Sequence, residues 1–342
     1  MHACRCVCVC TCTHTHTHTQ THTQSHTHTH AHTQDRLIRE GVTQLYIIGG
    51  DGTHKGANII SQEAVRRKLA MTVSCVPKTI DNDIAFIDKS FGFDTAVSTA
   101  VSVINCALIE AQDSQQGVGI VKLMGREAGF VAMMATLASN DVDICLVPEL
   151  AFDMDKLCVY VGDRLDLHGH CIIVIAEGAG SEHFRHVDLG CDESGNKVLP
   201  DVGTWLKAQI HAWWKQRGRT ITMKYMDPSY QLRSVIANAA DSVYCSDLGS
   251  TAVHGAMAGF TGFTAGRINQ RYVYIPMSDM CKAPKVRVDP KSRIYNRMRV
   301  HTGQPDLVPD GGGQGEHSIK EEGSVLAALD LPAANVMCEW PA

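Results

Sequence analysis

Leu45-Tyr46-Ile47-Ile48-Gly49-Gly50-Asp51-Gly52-Thr53 is the stretch on which the fold of this chain turns. A short β-branched and aromatic run delivered straight into a glycine turn reads as a buried strand of a parallel sheet, with a helix opening behind it. Glycines at such a strand exit let the backbone come close to a phosphate, where unpaired N–H groups face the anion. The acid inside the turn, Asp51, sits badly beside phosphate unless a divalent cation lies between them. A second β-type run over 73–76 leads to Asp81-Asn82-Asp83, so oxygen ligands arrive again just past a strand end. Taken alone, either motif is also readable as an ordinary turn or a solvated loop. Together, at two strand ends, they point to metal-assisted phosphoryl transfer.

Outward from this stretch the texture is regular. A helix over 55–69 follows the turn, and one over 95–111 carries Val97, Ala100, Val101, Ile104, Leu108 and Ala111 at helical spacing, with Asp94 as its N-cap. Strands over 119–123, 143–147, 171–176, 220–225 and 272–276 alternate with helices over 130–139, 154–165, 201–216 and 238–260. This alternation predicts an α/β fold: two Rossmann-like parallel-sheet domains with helices on both faces, and an active site in the cleft between them. Ligands of such sheets bind at the carboxyl ends of the strands, where the acids and glycines named above fall.

Composition narrows the function classes. A chain of 342 residues with 44% hydrophobic and 20% charged residues has the make-up of a soluble globular protein of two domains. A formal net charge of −5 gives no electrostatic reason to expect nucleic acid or an anionic membrane as partner. The most continuous apolar run, 171–176, is far too short to span a bilayer. Of the 14 cysteines, the five at positions 4–12 belong to the leader. The rest, such as Cys75, Cys106, Cys145, Cys171 and Cys245, are scattered singly through apolar segments, as buried thiols of a cytoplasmic protein are. No C-x-x-C pair marks a zinc site.

Residues 1–34 are of another kind: alternating Cys-Val, then alternating His-Thr. TG and CA dinucleotide repeats encode these patterns, so the leader is expected to be a translated repeat or a mis-set start, low in complexity and disordered. Binding of a soft metal by its cysteines and histidines is the competing reading. It has none of the regions of a signal peptide. Residues 306–342, with Gly-Gly-Gly-Gln-Gly at 311–315, read as a flexible tail.

Seven blocks, in order, resemble one family: GGDGTHKGA (49–57), PKTIDNDI (77–84), DKSFGFDTA (88–96), GIVKLMGREAGF (119–130), IVIAEGAG (173–180), YMDPSYQLR (225–233) and AVHGAMAGFTGF (252–263). From about Asp35 to Gln304 the chain resembles the 6-phosphofructokinases, nearest the ATP-using enzymes of plants and protists that group with the pyrophosphate-dependent ones. GGDGT alone also fits NAD kinases and lipid kinases; TIDND followed by MGR separates them. The resemblance implies phosphoryl transfer from Mg-ATP to the 1-hydroxyl of fructose 6-phosphate, in a homo-oligomer (dimer or tetramer). It divides the chain into a nucleotide domain, 35–93 plus 233–285, and a fructose 6-phosphate domain, 94–232 plus 286–305.

The roles it implies fall on residues of this sequence as follows. Asp81 is the general base on the sugar 1-hydroxyl. Asp51 and Asp83 hold Mg²⁺. Gly50, Gly52 and Thr53 line the ATP phosphates, with Lys78 nearby, and Thr79 and Ile80 complete the sugar-side loop. Met124, Gly125 and Arg126 contact the sugar phosphate, Arg126 also stabilising the transferred group. Glu177 accepts sugar hydroxyls, and Tyr230 and Arg233 hold the 6-phosphate. Lys122 and His254 read as a solvated residue and a packing residue, outside the site. Gly52 leaves room for the α-phosphate of ATP where pyrophosphate-dependent members place an aspartate, whereas Lys78 is shared with those members; the pair points to ATP. The alternatives are a pyrophosphate-dependent phosphotransferase and a truncated, non-catalytic subunit.

Two departures from the family stand out. Members begin with a strand and a glycine–proline loop over the nucleotide, and the leader stands there instead. The first strand is therefore expected to be missing, its sheet to have an unpaired edge, and the chain to bind ATP poorly or to be part of a longer product. Gln115-Gln116-Gly117 stands where bacterial members supply an arginine to a neighbouring subunit's 6-phosphate, which puts that contact in doubt.

Overall fold

Runs that are apolar on both faces must be covered on both faces, and that requirement organises the chain into two helix-flanked sheets. The computed structural model describes residues 5–10, 35–184, 186–191 and 197–310. All elements named below belong to the unit Met1–Leu307; Val308–Ala342 is a second unit. The His-Thr stretch, and the expected tail from residue 311 on, lie outside the described residues.

In chain order the strands are β1 (Arg5–Cys10), β2 (Val42–Gly49), β3 (Thr72–Pro77), β4 (Gly117–Leu123), β5 (Ile144–Leu146), β6 (His170–Ala176), β7 (Thr222–Met226), β8 (Phe263–Ile268) and β9 (Arg271–Pro276). The longer helices are α1 (Asp51–Arg66), α2 (Phe93–Gln112), α3 (Phe130–Ser139), α4 (Met154–His168), α5 (Val202–Gln216), α6 (Ala239–Met257) and α7 (Arg293–Thr302). One sheet has the order β1-β2-β3-β8-β9 and the other β5-β6-β4-β7. The second sheet is parallel throughout. Val121, Leu123, Ile172 and Val174 pack on one face with residues of α2, α3 and α7; Val118, Ile120, Ile173 and Ile175 pack on the other with residues of α4 and α5. In the first sheet Leu45, Ile47, Val73 and Cys75 meet Ala57 of α1, while Val76 and Ala265 meet Tyr244, Leu248 and Ala252 of α6.

The fold is thus the expected α/β arrangement, and four particulars differ. First, the sheet edge expected to stand unpaired is covered: β1 runs parallel to β2, from Arg5 opposite Val42 to Cys10 opposite Ile48. Part of the leader expected to be disordered is therefore a strand. An exposed strand edge is a row of unpaired N–H and C=O groups, and a segment of alternating valine satisfies it well.

Second, β8 was not foreseen, and its pairing with β9 is antiparallel. Gly266 dilutes the β pattern, yet a Cβ there would lie 2.7 Å from the Ile87 side chain and 2.9 Å from that of Ile275. The turn between the two strands is Asn269-Gln270, both at positive φ (48° and 65°), which suits a tight hairpin.

Third, α2 starts at Phe93 with Gly92 as N-cap, not Asp94. Asp94 pairs with Lys89 instead. The first turn is capped from another helix: the buried Asp241 of α6 accepts the Thr95 N–H at 2.7 Å and the Thr95 hydroxyl at 2.6 Å. Fourth, α2 is long and apolar enough to cross a membrane by length and composition. Its stripe of Ala96, Ala100, Ile104, Ala107 and Ala111 is buried in the core, while only 33% of its apolar window is buried in all and Ile109 is exposed. Among the thiols, Cys75, Cys145 and Cys171 are buried as expected, whereas Cys106 and Cys245 face solvent.

Candidate active site

The two turns singled out in the sequence are stitched together at the carboxyl ends of β2 and β3, where Gly49 stands opposite Pro77. The Lys78 N–H donates to the Gly49 carbonyl at 2.8 Å. A Cβ at Gly49 would lie within 2.4–2.7 Å of the Thr53 side chain, so only glycine allows that approach. At Gly52 a Cβ would meet nothing within 4 Å, so the turn is open there. Asp51 lies in the first turn of α1, where an acid suits the helix dipole, and pairs with Lys55 at 2.8 Å.

The loop after β3 is held from several sides. Asn82 sits at positive φ (55°), and its side-chain oxygen accepts the Ser90 N–H at 2.8 Å. The Ser90 hydroxyl donates to the Thr79 carbonyl at 2.8 Å, and the Asp81 N–H donates to the Thr79 hydroxyl at 3.2 Å. The Val286 N–H donates to the Asp83 carbonyl at 3.0 Å. Further on, both oxygens of Asp88 accept the N–H groups of the hairpin turn, Asn269 and Gln270, at 2.8 Å each. The acids therefore project from a braced loop.

Asp81 is the most perturbed of them. One carboxylate oxygen is buried without a hydrogen-bond partner. Burial, then the negative charges of Asp83 and Glu177, push its pKa up to about 6, against the opposing pull of Lys285 and Arg126. Asp83 follows β3, Arg126 follows β4 and Glu177 follows β6, so the tips of these three strands share one electrostatic site, with Lys285 joining from the loop past Lys282. Arg126 lies 3.6 Å from Glu177 and also donates to the Lys197 carbonyl. Lys285 lies 3.5 Å from Asp83 and 3.4 Å from Glu127. Lys122, Arg126, Glu177 and residues 198–201 line a cavity of about 280 Å³.

The structure thus brings Asp81 and Asp83 of the braced loop, which also carries Thr79 and Ile80, near Arg126 and Glu177 of the second sheet; Met124 and Gly125 directly precede Arg126 in the chain. Gly50, Asp51, Gly52 and Thr53 follow the neighbouring tip of β2, while Lys78 sits at the tip of β3 and bonds across to Gly49. Tyr230 and Arg233 lie on a helical turn, Ser229–Arg233, beyond β7. Tyr230 is 75% exposed, and the contact described for the pair is with each other, the guanidinium 5.1 Å from the ring centre. Sequence reasoning missed Lys285 and misjudged Lys122, whose side chain is only 14% exposed and pairs with Asp201 and Asp227. No motif marks Lys285; Lys122, four residues before Arg126 and inside a buried strand, carried a legible signal.

Among the described residues no three His, Cys, Asp or Glu side chains form a cluster able to hold a metal ion. Two carboxylates completed by phosphate oxygens is nevertheless the donor set that suits Mg²⁺, which seldom has an all-protein cage. Asp51 and Asp83, each balanced here by a lysine, fit that role chemically.

Fold and site together define a two-sheet, mainly parallel α/β protein whose polar groups gather at strand tips. The phosphofructokinase family model matches residues 11–256, and the chain belongs to that family. It is 45% identical to ATP-dependent 6-phosphofructokinase 7 of Arabidopsis thaliana, over 87% of this chain and 63% of the relative. It is 48% identical to ATP-dependent 6-phosphofructokinase 4, chloroplastic, of the same plant, over 81% of this chain and 54% of the relative. With ATP-dependent 6-phosphofructokinase of Borreliella burgdorferi the identity is 42%, over 79% and 62%. The chain therefore spans between about half and just under two thirds of these relatives. Among solved structures, the pyrophosphate-dependent phosphofructokinase of Marinobacter aquaeolei shares the fold at a TM-score of 0.65 and 21% identity, covering 82% of this chain and 74% of that one. Phosphofructokinase of Saccharomyces cerevisiae does so at 0.57 and 21%, covering 72% and 33%.

Proposed function

We propose that this chain transfers the γ-phosphoryl group of ATP to the 1-hydroxyl of fructose 6-phosphate, giving fructose 1,6-bisphosphate. The observation that carries the reading is Asp81: a buried carboxylate oxygen without a partner, facing Arg126 and Glu177 from the other sheet. A base must be within reach of the hydroxyl and titrate near the working pH, and a carboxyl raised to about 6 meets the second condition. The names of the relatives at 42–48% identity support the donor and the acceptor.

In this reading Asp81 takes the proton of the attacking hydroxyl, and Arg126 offsets charge on the transferred group. Glu177 accepts sugar hydroxyls, while Met124 and Gly125 border the sugar and Thr79 and Ile80 close its other side. Tyr230 and Arg233 engage the 6-phosphate. Gly50, Gly52, Thr53 and Lys78 receive the nucleotide phosphates. Asp51 and Asp83 would hold Mg²⁺, which when bound neutralises charge on the phosphate oxygens. The nucleotide side corresponds to the sheet of β1, β2, β3, β8 and β9, and the sugar side to the other. A cytoplasmic homo-oligomer is part of the same proposal; because some relatives are named chloroplastic, a plastid fraction is the control for location. The test is a coupled assay of fructose 6-phosphate phosphorylation with ATP and, in parallel, with pyrophosphate. ADP formation dependent on the sugar is expected; turnover with pyrophosphate alone, or with neither donor, overturns the reading.

A further inference from the structure

β4 and β7 are paired as far as Val121 opposite Met226, which brings the next two residues, Lys122 and Asp227, side by side at the strand tips. The Lys122 ammonium lies 2.7 Å from Asp227 Oδ2 and 3.2 Å from Asp201 Oδ1. Burial disfavours the ammonium, but hydrogen bonds to Asp227 and Asp201 and the charges of Tyr225 and Asp227 more than compensate, so its pKa is raised. An ammonium matched to two carboxylates has little charge left over for a phosphate, whereas Arg126 has the single carboxylate of Glu177 at 3.6 Å.

Each carboxylate also holds a wall of the site. Asp201 caps α5, accepting the Gly203 N–H at 3.2 Å and the Thr204 hydroxyl at 2.6 Å, and it accepts the Tyr225 hydroxyl at 2.7 Å. It ends the stretch 198–201 that lines the cavity with Arg126 and Glu177. Asp227 Oδ1 accepts the Ser229 N–H at 3.1 Å and its hydroxyl at 2.5 Å, starting the turn Ser229–Arg233 that carries Tyr230 and Arg233.

We propose that Lys122 is a positioning residue for the sugar-phosphate side of the site: by joining Asp201 to Asp227 it fixes the cavity wall 198–201 relative to the turn that presents Tyr230 and Arg233. This rests on the sugar-phosphate reading above. Lys122 does not touch the reacting atoms; it sets the spacing of the groups that do.

The experiment compares Lys122→Met and Lys122→Arg with the wild type in the full chain. It measures kcat, the KM for each substrate, direct fructose 6-phosphate binding by calorimetry, and Tm. In Lys122→Met the KM and Kd for fructose 6-phosphate are expected to rise about 10- to 100-fold, as small misplacements of binding groups do, with the KM for ATP unchanged. Lys122→Arg, which keeps a cation between the two carboxylates, is expected to recover most of that loss. If Lys122→Met does not fold, Asp227→Asn cuts the same brace while keeping an oxygen for Ser229, and the same split is expected. Sugar binding unchanged while Tm falls, or a parallel loss of kcat and both KM values, overturns the inference and leaves the functional reading standing. A wild type that neither turns over nor binds the sugar phosphate overturns both.

Discussion

A Cβ at position 178 would lie 1.9 Å from the carbonyl oxygen of Arg126, so Gly178 is the residue that lets the tip of β6 close onto the tip of β4. The Gly178 N–H donates to the Gly125 carbonyl at 3.2 Å across the same junction, and Glu177 meets Arg126 there. Since backbone is the obstacle, Gly178→Ala has no flexible neighbour to push aside. It is expected to cost about 1–3 kcal/mol or more and to lower kcat by displacing Arg126. Urea denaturation with steady-state kinetics checks this; a variant with wild-type stability and rate shows the junction to be slack.

Asp81→Asn separates chemistry from stability. Loss of a general base is expected to lower kcat by about 10²–10⁴-fold with little change in the KM for ATP. The folded carboxyl holds its proton up to about pH 6, against 3.8 for an ordinary aspartate, so folding takes up a proton between those values. The contribution of Asp81 to stability is therefore fully present below the lower pH and is lost as pH rises through about 6. Above that pH the Asn variant is expected to melt at a higher temperature than wild type. Activity of the wild type is expected to fall on the acid side of about pH 6, as the base becomes protonated. A profile flat to pH 5 contradicts that assignment.

Gly52 and Gly49 make an internal contrast. Because nothing stands within 4 Å of a Cβ at 52, Gly52→Asp is expected to fold normally and to act on the nucleotide: ATP-dependent turnover falls while Tm holds. Gly49→Ala drives a methyl into Thr53 and is expected to lose about 1–3 kcal/mol of stability together with ATP affinity. Equal ATP kinetics in Gly52→Asp and wild type removes the volume argument for the donor.

Asp241 tests a purely structural claim. It is buried and accepts two hydrogen bonds from Thr95, so Asp241→Ala strands a helix N–H and a hydroxyl. A loss of about 2–4 kcal/mol is expected, with both KM values unchanged. Chemical denaturation gives the first number; altered substrate affinity in a fully folded variant assigns Asp241 a functional part.

How far the sequence reached is clearest at the helix starts and strand ends. Asp94 looked like a cap because capping is usually local, yet the carboxylate that accepts an N–H of the first turn of α2 belongs to Asp241, more than a hundred residues away. β8 was invisible because Gly266 answers to the packing of Ile87 and Ile275, which no local pattern records. Lys122 read as solvated because its two carboxylates come from other elements. The strand–turn–helix alternation and the acids past β2 and β3, by contrast, are encoded within a few residues each, and these were legible.

By itself, then, the sequence determined the parallel α/β plan, the family and the identity of the acids and glycines at the strand tips, since periodicity and backbone freedom are local properties of the chain. Tertiary structure alone decided which charges face Asp81, which carboxylates pair with Lys122 and what covers the edge of β2. Burial and electrostatic coupling depend on groups brought together from distant segments, and distance in space is not written in spacing along the chain.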